Sequence, residues 1–335
     1  MMVKLRRLSN KIDAGLLIAA ALGLFAAQAL FKPGLPTTAD LVIHLYRTLE
    51  FEQAWAPGVI VPRWAPNLAY GYGYPLFIFA PPLPYLLAML LHLPGIITIE
   101  TAFKLLLITT ALLYITGMYL LARDLWDSVA AGLVAGAAFA FAPFALRELL
   151  LYGGNAPQYL AIGLFPWPLW AASQAVRTGR WRWTVLAGLL YAGIILSHLF
   201  QALIFSPVLG LFILLLLAPR YRNVAGLPLL RRGWALLKPL LALPLGVLLS
   251  AFFWLPAFIE RLDTRATADI YLEKSPFFIR YPYWPELLAW LSPLDTRAAN
   301  PYAPLSLGLV TLALAGLGLL ALLISGLFRR RFEPL

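Results

Sequence analysis

An all-α, polytopic membrane bundle is the fold class this sequence predicts, and three observations carry the prediction. Of its 335 residues, 61% are hydrophobic and only 12% are charged, whereas a soluble globular chain runs near ~45–50% apolar and ~25% charged. Eight stretches are apolar over about the ~20 residues a helix needs to cross a bilayer. Short segments rich in Lys and Arg lie between them. Together these exclude an ordinary soluble enzyme, a disordered tail and a nucleic-acid module. The net charge of +11 reads first as membrane orientation, because Lys and Arg collect on cytoplasmic loops. There is no Cys, so a disulfide, a thiolate metal site and a thiol nucleophile are ruled out.

The predicted spans are 14–31, 99–121, 128–145, 157–175, 183–199, 201–218, 236–258 and 303–327, in a single transmembrane domain covering 1–335. A ninth apolar stretch, 76–93, carries Pro81, Pro82 and Pro84. Prolines this close remove backbone donors and clash with the preceding turn, so a continuous helix is disfavoured. Charge argues that 76–93 lies at the outer interface. With eight spans and both termini cytoplasmic, the inner side holds 16 basic residues against four acids, a net of +12. The outer side then holds 10 basic and 11 acidic residues, a net of −1. A ninth crossing would move the clusters at 177–182, 220–232 and 329–331 outside, against the Lys/Arg bias.

The outer loops, 32–98, 146–156 and 259–302, carry what chemistry there is. Asp40, His44 and Arg47 are spaced i, i+4 and i+7 and share a helical face. Val42, Leu45, Tyr46 and Leu49 share the other, as in a helix lying on a membrane surface. Thr37-x-x-Asp40 also fits a capping box, so Asp40 is either a capping residue or a reactive acid. Next come Arg63-Trp64 and Gly71-Tyr72-Gly73-Tyr74-Pro75. Trp64, Tyr72 and Tyr74 form either a substrate groove for a sugar ring or an aromatic belt at the headgroups. Arg147 and Glu148 fall in the short outer loop, and His198 ends the span 183–199. His44, His92 and His198 come from separate segments without metal-motif spacing. No phosphate-binding glycine loop, serine elbow or His-Glu-x-x-His motif is present.

The order of these features resembles the GT-C superfamily of integral-membrane glycosyltransferases. It is closer still to a bacterial and archaeal group of membrane proteins labelled "6-pyruvoyl-tetrahydropterin synthase-related". The residues that carry the likeness are Asp40, His44, Arg63-Trp64, Gly71-Tyr72-Gly73-Tyr74-Pro75, Leu121-Ala122-Arg123-Asp124, Arg147, Glu148, Ser197-His198 and Phe253-Trp254-Leu255-Pro256. Nothing in the chain resembles the soluble synthase, a small α+β enzyme.

The GT-C resemblance implies a multi-pass enzyme of the cell membrane that takes a sugar from a polyprenyl-phosphate donor among the membrane lipids. The acceptor is a lipid, a glycan or a protein. By position Asp40 is the base, with His44 one turn on to orient its carboxylate, and Glu148 matches the superfamily's second acid. Arg63, Arg147 and His198 fall to the donor phosphate. His198 stands where aminoarabinose transferases carry a lysine. The superfamily also implies a divalent metal ion, but the usual paired-acid motif is missing beside Asp40, which leaves metal dependence open. The rival expectation is a non-catalytic membrane protein of the same fold, either a degenerate transferase or a lipid-handling or assembly factor.

Overall fold

The computed structural model describes residues 13–55, 59, 61–146, 150, 154–224, 229–263, 283–290 and 306–332. The described residues form helices and connecting turns, with one isolated bridge between Ala65 and Tyr74. In order the helices are α1 (Ala14–Ala26), α2 (Leu41–Ala54), α3 (Leu76–Phe79), α4 (Leu83–His92), α5 (Ile99–Trp126), α6 (Val129–Ala140) and α7 (Ala156–Leu164). Then follow α8 (Pro166–Thr178), α9 (Trp181–Ser197), α10 (Leu199–Val224), α11 (Leu229–Leu240), α12 (Ala242–Leu249), α13 (Ala251–Glu260), α14 (Trp284–Leu287) and α15 (Leu309–Phe332).

The all-helical class is as expected, but several apolar stretches are interrupted. Among the described residues only Ile99–Trp126 and Leu199–Ala218 are single helices long and apolar enough to cross a bilayer. The stretch 157–175 divides at Phe165, because Pro166 and Pro168 lack the donors a continuous ladder requires. The stretch 236–258 is bent by 60° between α12 and α13. At that bend Ser250 bonds back to the carbonyl of Gly246 at 2.8 Å, and the Trp254 indole satisfies that of Val247 at 2.8 Å, a local bond that competes with the helical ladder. The stretch 76–93 breaks into α3 and α4 at Ala80–Pro82. Much of the long loop 259–302 lies outside the described residues.

Helix α5 is the axis of the bundle, packed by α1, α4, α6, α7 and α8. Its close approach to α6 depends on two glycines four residues apart. A Cβ on Gly132 would lie 2.8 Å from the Tyr119 carbonyl oxygen, and one on Gly136 2.8 Å from that of Ile115. Small residues at this spacing let backbones meet inside a membrane.

At one end of the bundle a polar network ties α1, α5 and α8 together. Asp13 caps α1 and accepts from the Tyr119 hydroxyl at 2.8 Å and from the Arg123 guanidinium. Arg123 also donates twice to Asp124. The other oxygen of Asp124 takes the Trp170 indole and the Gln174 amide, each at 2.8 Å. Burial opposes ionisation of Asp13, but the bonds from Tyr119, Leu16 and Arg123 outweigh it and lower its pKa.

The segment between α1 and α5 has a second, smaller core of its own: Phe51, Ala65, Leu76, Phe77, Tyr85 and Met89. This core fixes α2 against α4, and α4 in turn contacts α5, α7 and α9.

Candidate functional site

Helix α2 packs the opposite way round from a simple surface helix. Leu41, His44, Thr48 and Phe51 are buried, while Val42, Ile43 and Tyr46 are exposed. The face that carries His44 therefore points into the bundle, and the apolar face points out.

Asp40 precedes the first turn of α2, but its side chain makes no capping hydrogen bond. The cap comes from Thr38, whose hydroxyl accepts from the Leu41 N–H at 3.2 Å. This corrects the capping reading of Thr37-x-x-Asp40. Thr38 is one residue closer to the ideal spacing from Leu41, and it leaves the Asp40 carboxylate, half-buried, without a capping role. Gly154 seals the same helix start from the short outer loop. It sits at φ +65°, and a Cβ there would lie 2.1 Å from Thr38 Oγ1 and 2.9 Å from the Leu41 nitrogen. Only glycine tolerates both the left-handed backbone and this approach. Gly154 thus packs at the Asp40 end of α2, while Arg147 and Glu148 lie outside the described residues.

His44 does not orient the Asp40 carboxylate through a side-chain bond. Its Nδ1 lies 3.0 Å from the Tyr85 hydroxyl, with the two rings stacked 6.1 Å apart. Burial first, then the positive charge of Arg47 and the neighbouring His198, lower the His44 pKa to about 3. His44 is therefore a neutral imidazole. Burial raises the pKa of the Tyr85 hydroxyl, and the positive charge of Arg47 opposes that shift. Arg47 has no ion pair with a carboxylate among the described residues.

His198 joins this group from the end of α9. It sits in extended backbone between α9 and α10, and its Nδ1 accepts from the Gln201 N–H at 3.3 Å. That bond caps α10 and leaves the Nε2–H as the donor. His92 lies elsewhere, paired with Glu52 at 2.8 Å. Among the described residues no three His, Cys, Asp or Glu side chains are grouped as a metal site requires.

The aromatic segment folds as a tight hairpin. Ala65 and Tyr74 exchange backbone bonds of 2.9 and 3.2 Å, and Glu50, itself buried, holds the Asn67 N–H at 2.9 Å. Trp64 lies over Gly73, where a Cβ would come within 2.4 Å of the indole nitrogen. Of the three expected groove aromatics, Tyr72 is 87% exposed, Trp64 is half-exposed against Gly73 and Tyr74 is partly exposed. Arg63 is turned to Glu260, 3.7 Å away at the end of α13. Exposed pairs of this kind contribute little, so Arg63 stays available to an anion.

Sequence reasoning placed Arg47 on the right face but gave it no role, and it missed Tyr85 and Glu50. Tyr85 sits 41 residues from His44, inside an apolar proline-rich stretch that offers no local signal. The fold and site together define a polytopic helical membrane protein with an inward-facing polar cluster beside one acid. The chain belongs to the 6-pyruvoyl-tetrahydropterin synthase related family of membrane proteins, whose family model matches residues 77–319. Tyr85 and His198 fall inside the match, whereas Asp40, His44, Arg47 and the aromatic hairpin precede it. No protein of curated function matches the chain.

Proposed function

We propose that this protein is a GT-C-type glycosyltransferase of the cell membrane, with both termini cytoplasmic and its site facing outward. It moves a sugar from a polyprenyl-phosphate donor to a hydroxyl acceptor. The observation that carries this reading is the Asp40 carboxylate, released from capping by Thr38 at the head of a helix whose inner face presents His44 and Arg47.

Asp40 takes the proton of the acceptor hydroxyl as that oxygen bonds to the anomeric carbon of the donor sugar. The bond from that carbon to the phosphate oxygen breaks, and its electron pair leaves with the polyprenyl phosphate. General-base help of this kind is worth ~10²–10⁴-fold. Arg47 and the Nε2–H of His198 stabilise the departing phosphate, joined by Arg63 and Arg147 from the loops. Charge-assisted bonds to phosphate are the stronger class. His44 is a positioning residue that fixes the Tyr85 hydroxyl. The donor phosphate is already exposed on the outer side, so no nucleotide site is needed.

The test is sugar transfer in nanodiscs from a panel of polyprenyl-phosphate sugars, with wild-type protein. Transfer with at least one donor is the expected outcome. No transfer from any donor by a folded protein favours the non-catalytic reading of the same fold.

A further inference from the structure

The apolar run Leu199–Ala218 of α10 contains two polar side chains, Gln201 and Ser206. Ser206 is committed: its hydroxyl bonds to the Ala202 carbonyl and meets the Tyr191 hydroxyl. Gln201 is different. It is only 8% exposed and its backbone N–H donates to His198 Nδ1, yet its side-chain amide makes no hydrogen bond among the described residues. A buried amide without a partner costs stability. Such a group in a folded protein points to a functional contact or to water.

The burial pattern fixes the face on which Gln201 lies. Ala202 and Phe205 are buried with it, while Phe200 and Leu203 are exposed, so Gln201 is on the inner face of α10, in its first turn. One turn deeper Phe205 stacks on Phe165 at 4.3 Å, and the inner face becomes wholly apolar. His198 stands at the same helix start, and its imidazole interacts electrostatically with that of His44. Helix α10 also contacts α7, which begins beside Gly154 and the head of α2. The amide therefore lies next to the residues assigned to the donor phosphate, on the bundle side of His198.

An amide is neutral and carries both a donor and an acceptor. That matches a hydroxyl, which also gives one hydrogen bond and takes another, better than it matches a phosphate, to which Arg47 and His198 are assigned. We infer that Gln201 hydrogen-bonds a hydroxyl of the donor sugar and so selects which sugar the site accepts. The assignment rests on the donor site proposed above and deepens it, since phosphate binding and sugar recognition fall to different residues. A site built to bond a hydroxyl discriminates strongly against a headgroup that lacks it.

Native mass spectrometry of the whole protein tests it, with bare decaprenyl phosphate and decaprenyl-phosphate glucose, galactose, mannose and N-acetylglucosamine as probes. The wild type retains at least one glycosylated lipid better than the bare one, by about tenfold or more. Gln201→Met keeps the volume and removes the amide. It holds bare decaprenyl phosphate as the wild type does and loses the gain from the sugar. Gln201→Leu serves if Gln201→Met fails to fold. A sugar preference that survives in the folded variant overturns the inference and leaves the donor-phosphate site standing. Equal retention of bare and glycosylated lipids by the wild type does the same. A wild type that retains none of the five lipids contradicts the donor site itself, and the inference falls with it.

Discussion

His44 Nδ1 and the Tyr85 hydroxyl meet at 3.0 Å across 41 residues of chain, and that contact joins the polar face of α2 to the bundle. Burial first, then the charge of Arg47 and the neighbouring His198, keep this histidine neutral in the folded protein. The folded pKa of about 3 lies below the unfolded value of about 6.5, so the unfolded chain takes up the proton first. Stability from this group is complete above pH 6.5 and falls as pH drops toward 3, by up to about 1.4 kcal/mol per pH unit. Thermal melts of wild type and His44→Gln between pH 7 and pH 4.5 should therefore converge in acid, the wild type losing more. Parallel curves would show that His44 is not buried neutral.

Gly154 packs tightly against the start of α2. Gly154→Ala adds a Cβ where Thr38 Oγ1 already stands, at a φ of +65°. We expect about 1–3 kcal/mol of destabilisation and a larger loss of transfer, because the head of α2 must shift. Ala at Gly34, which also has positive φ but nothing within 4 Å, should leave transfer near wild type.

The polar network around Asp124 predicts a purely structural effect. Asp124→Ala strands the Trp170 indole and the Gln174 amide and leaves the Arg123 guanidinium with Asp13 alone. Leaving such donors unpaired costs roughly 1–3 kcal/mol, read as a lower Tm in detergent. Donor binding should be unchanged, since the network ties α1, α5 and α8 and touches no residue of the cluster at His44.

Orientation is open to a direct check because the chain has no cysteine. Cys at Tyr72 and Cys at Thr178, both exposed positions, should divide. The first labels with an impermeant reagent added outside cells, and the second only after permeabilisation. The reverse pattern would invert the threading and with it the outward-facing site.

The sequence made some of this readable and hid the rest for physical reasons. Composition alone gave the membrane class, and the i, i+4, i+7 spacing put Asp40, His44 and Arg47 together. It could not say which face of α2 turns inward. In a chain surrounded by lipid, Val42, Ile43 and Tyr46 are as well placed outside as inside, so apolar periodicity loses its sign. The break at Phe165 was not read from the sequence, because the run 157–175 is predominantly apolar and masks Pro166 and Pro168 within it. Nor was the 60° bend before α13, because Ser250 and Trp254 create it through bonds to α12 carbonyls. The spacing pointed to Thr37 as the cap, and the backbone path gave the role to Thr38. Tyr85 was hidden by its distance in sequence.

The base assigned to Asp40 is the centre of the account, and Asp40→Asn measures it most directly. Asn caps a helix about as well as Asp, and Thr38 holds the cap in any case, so the variant should melt within a few tenths of a kcal/mol of wild type. Sugar transfer from the donor that the wild type uses should fall by ~10²-fold or more, because the proton acceptor is gone while the fold remains. Wild-type transfer by Asp40→Asn would contradict the account.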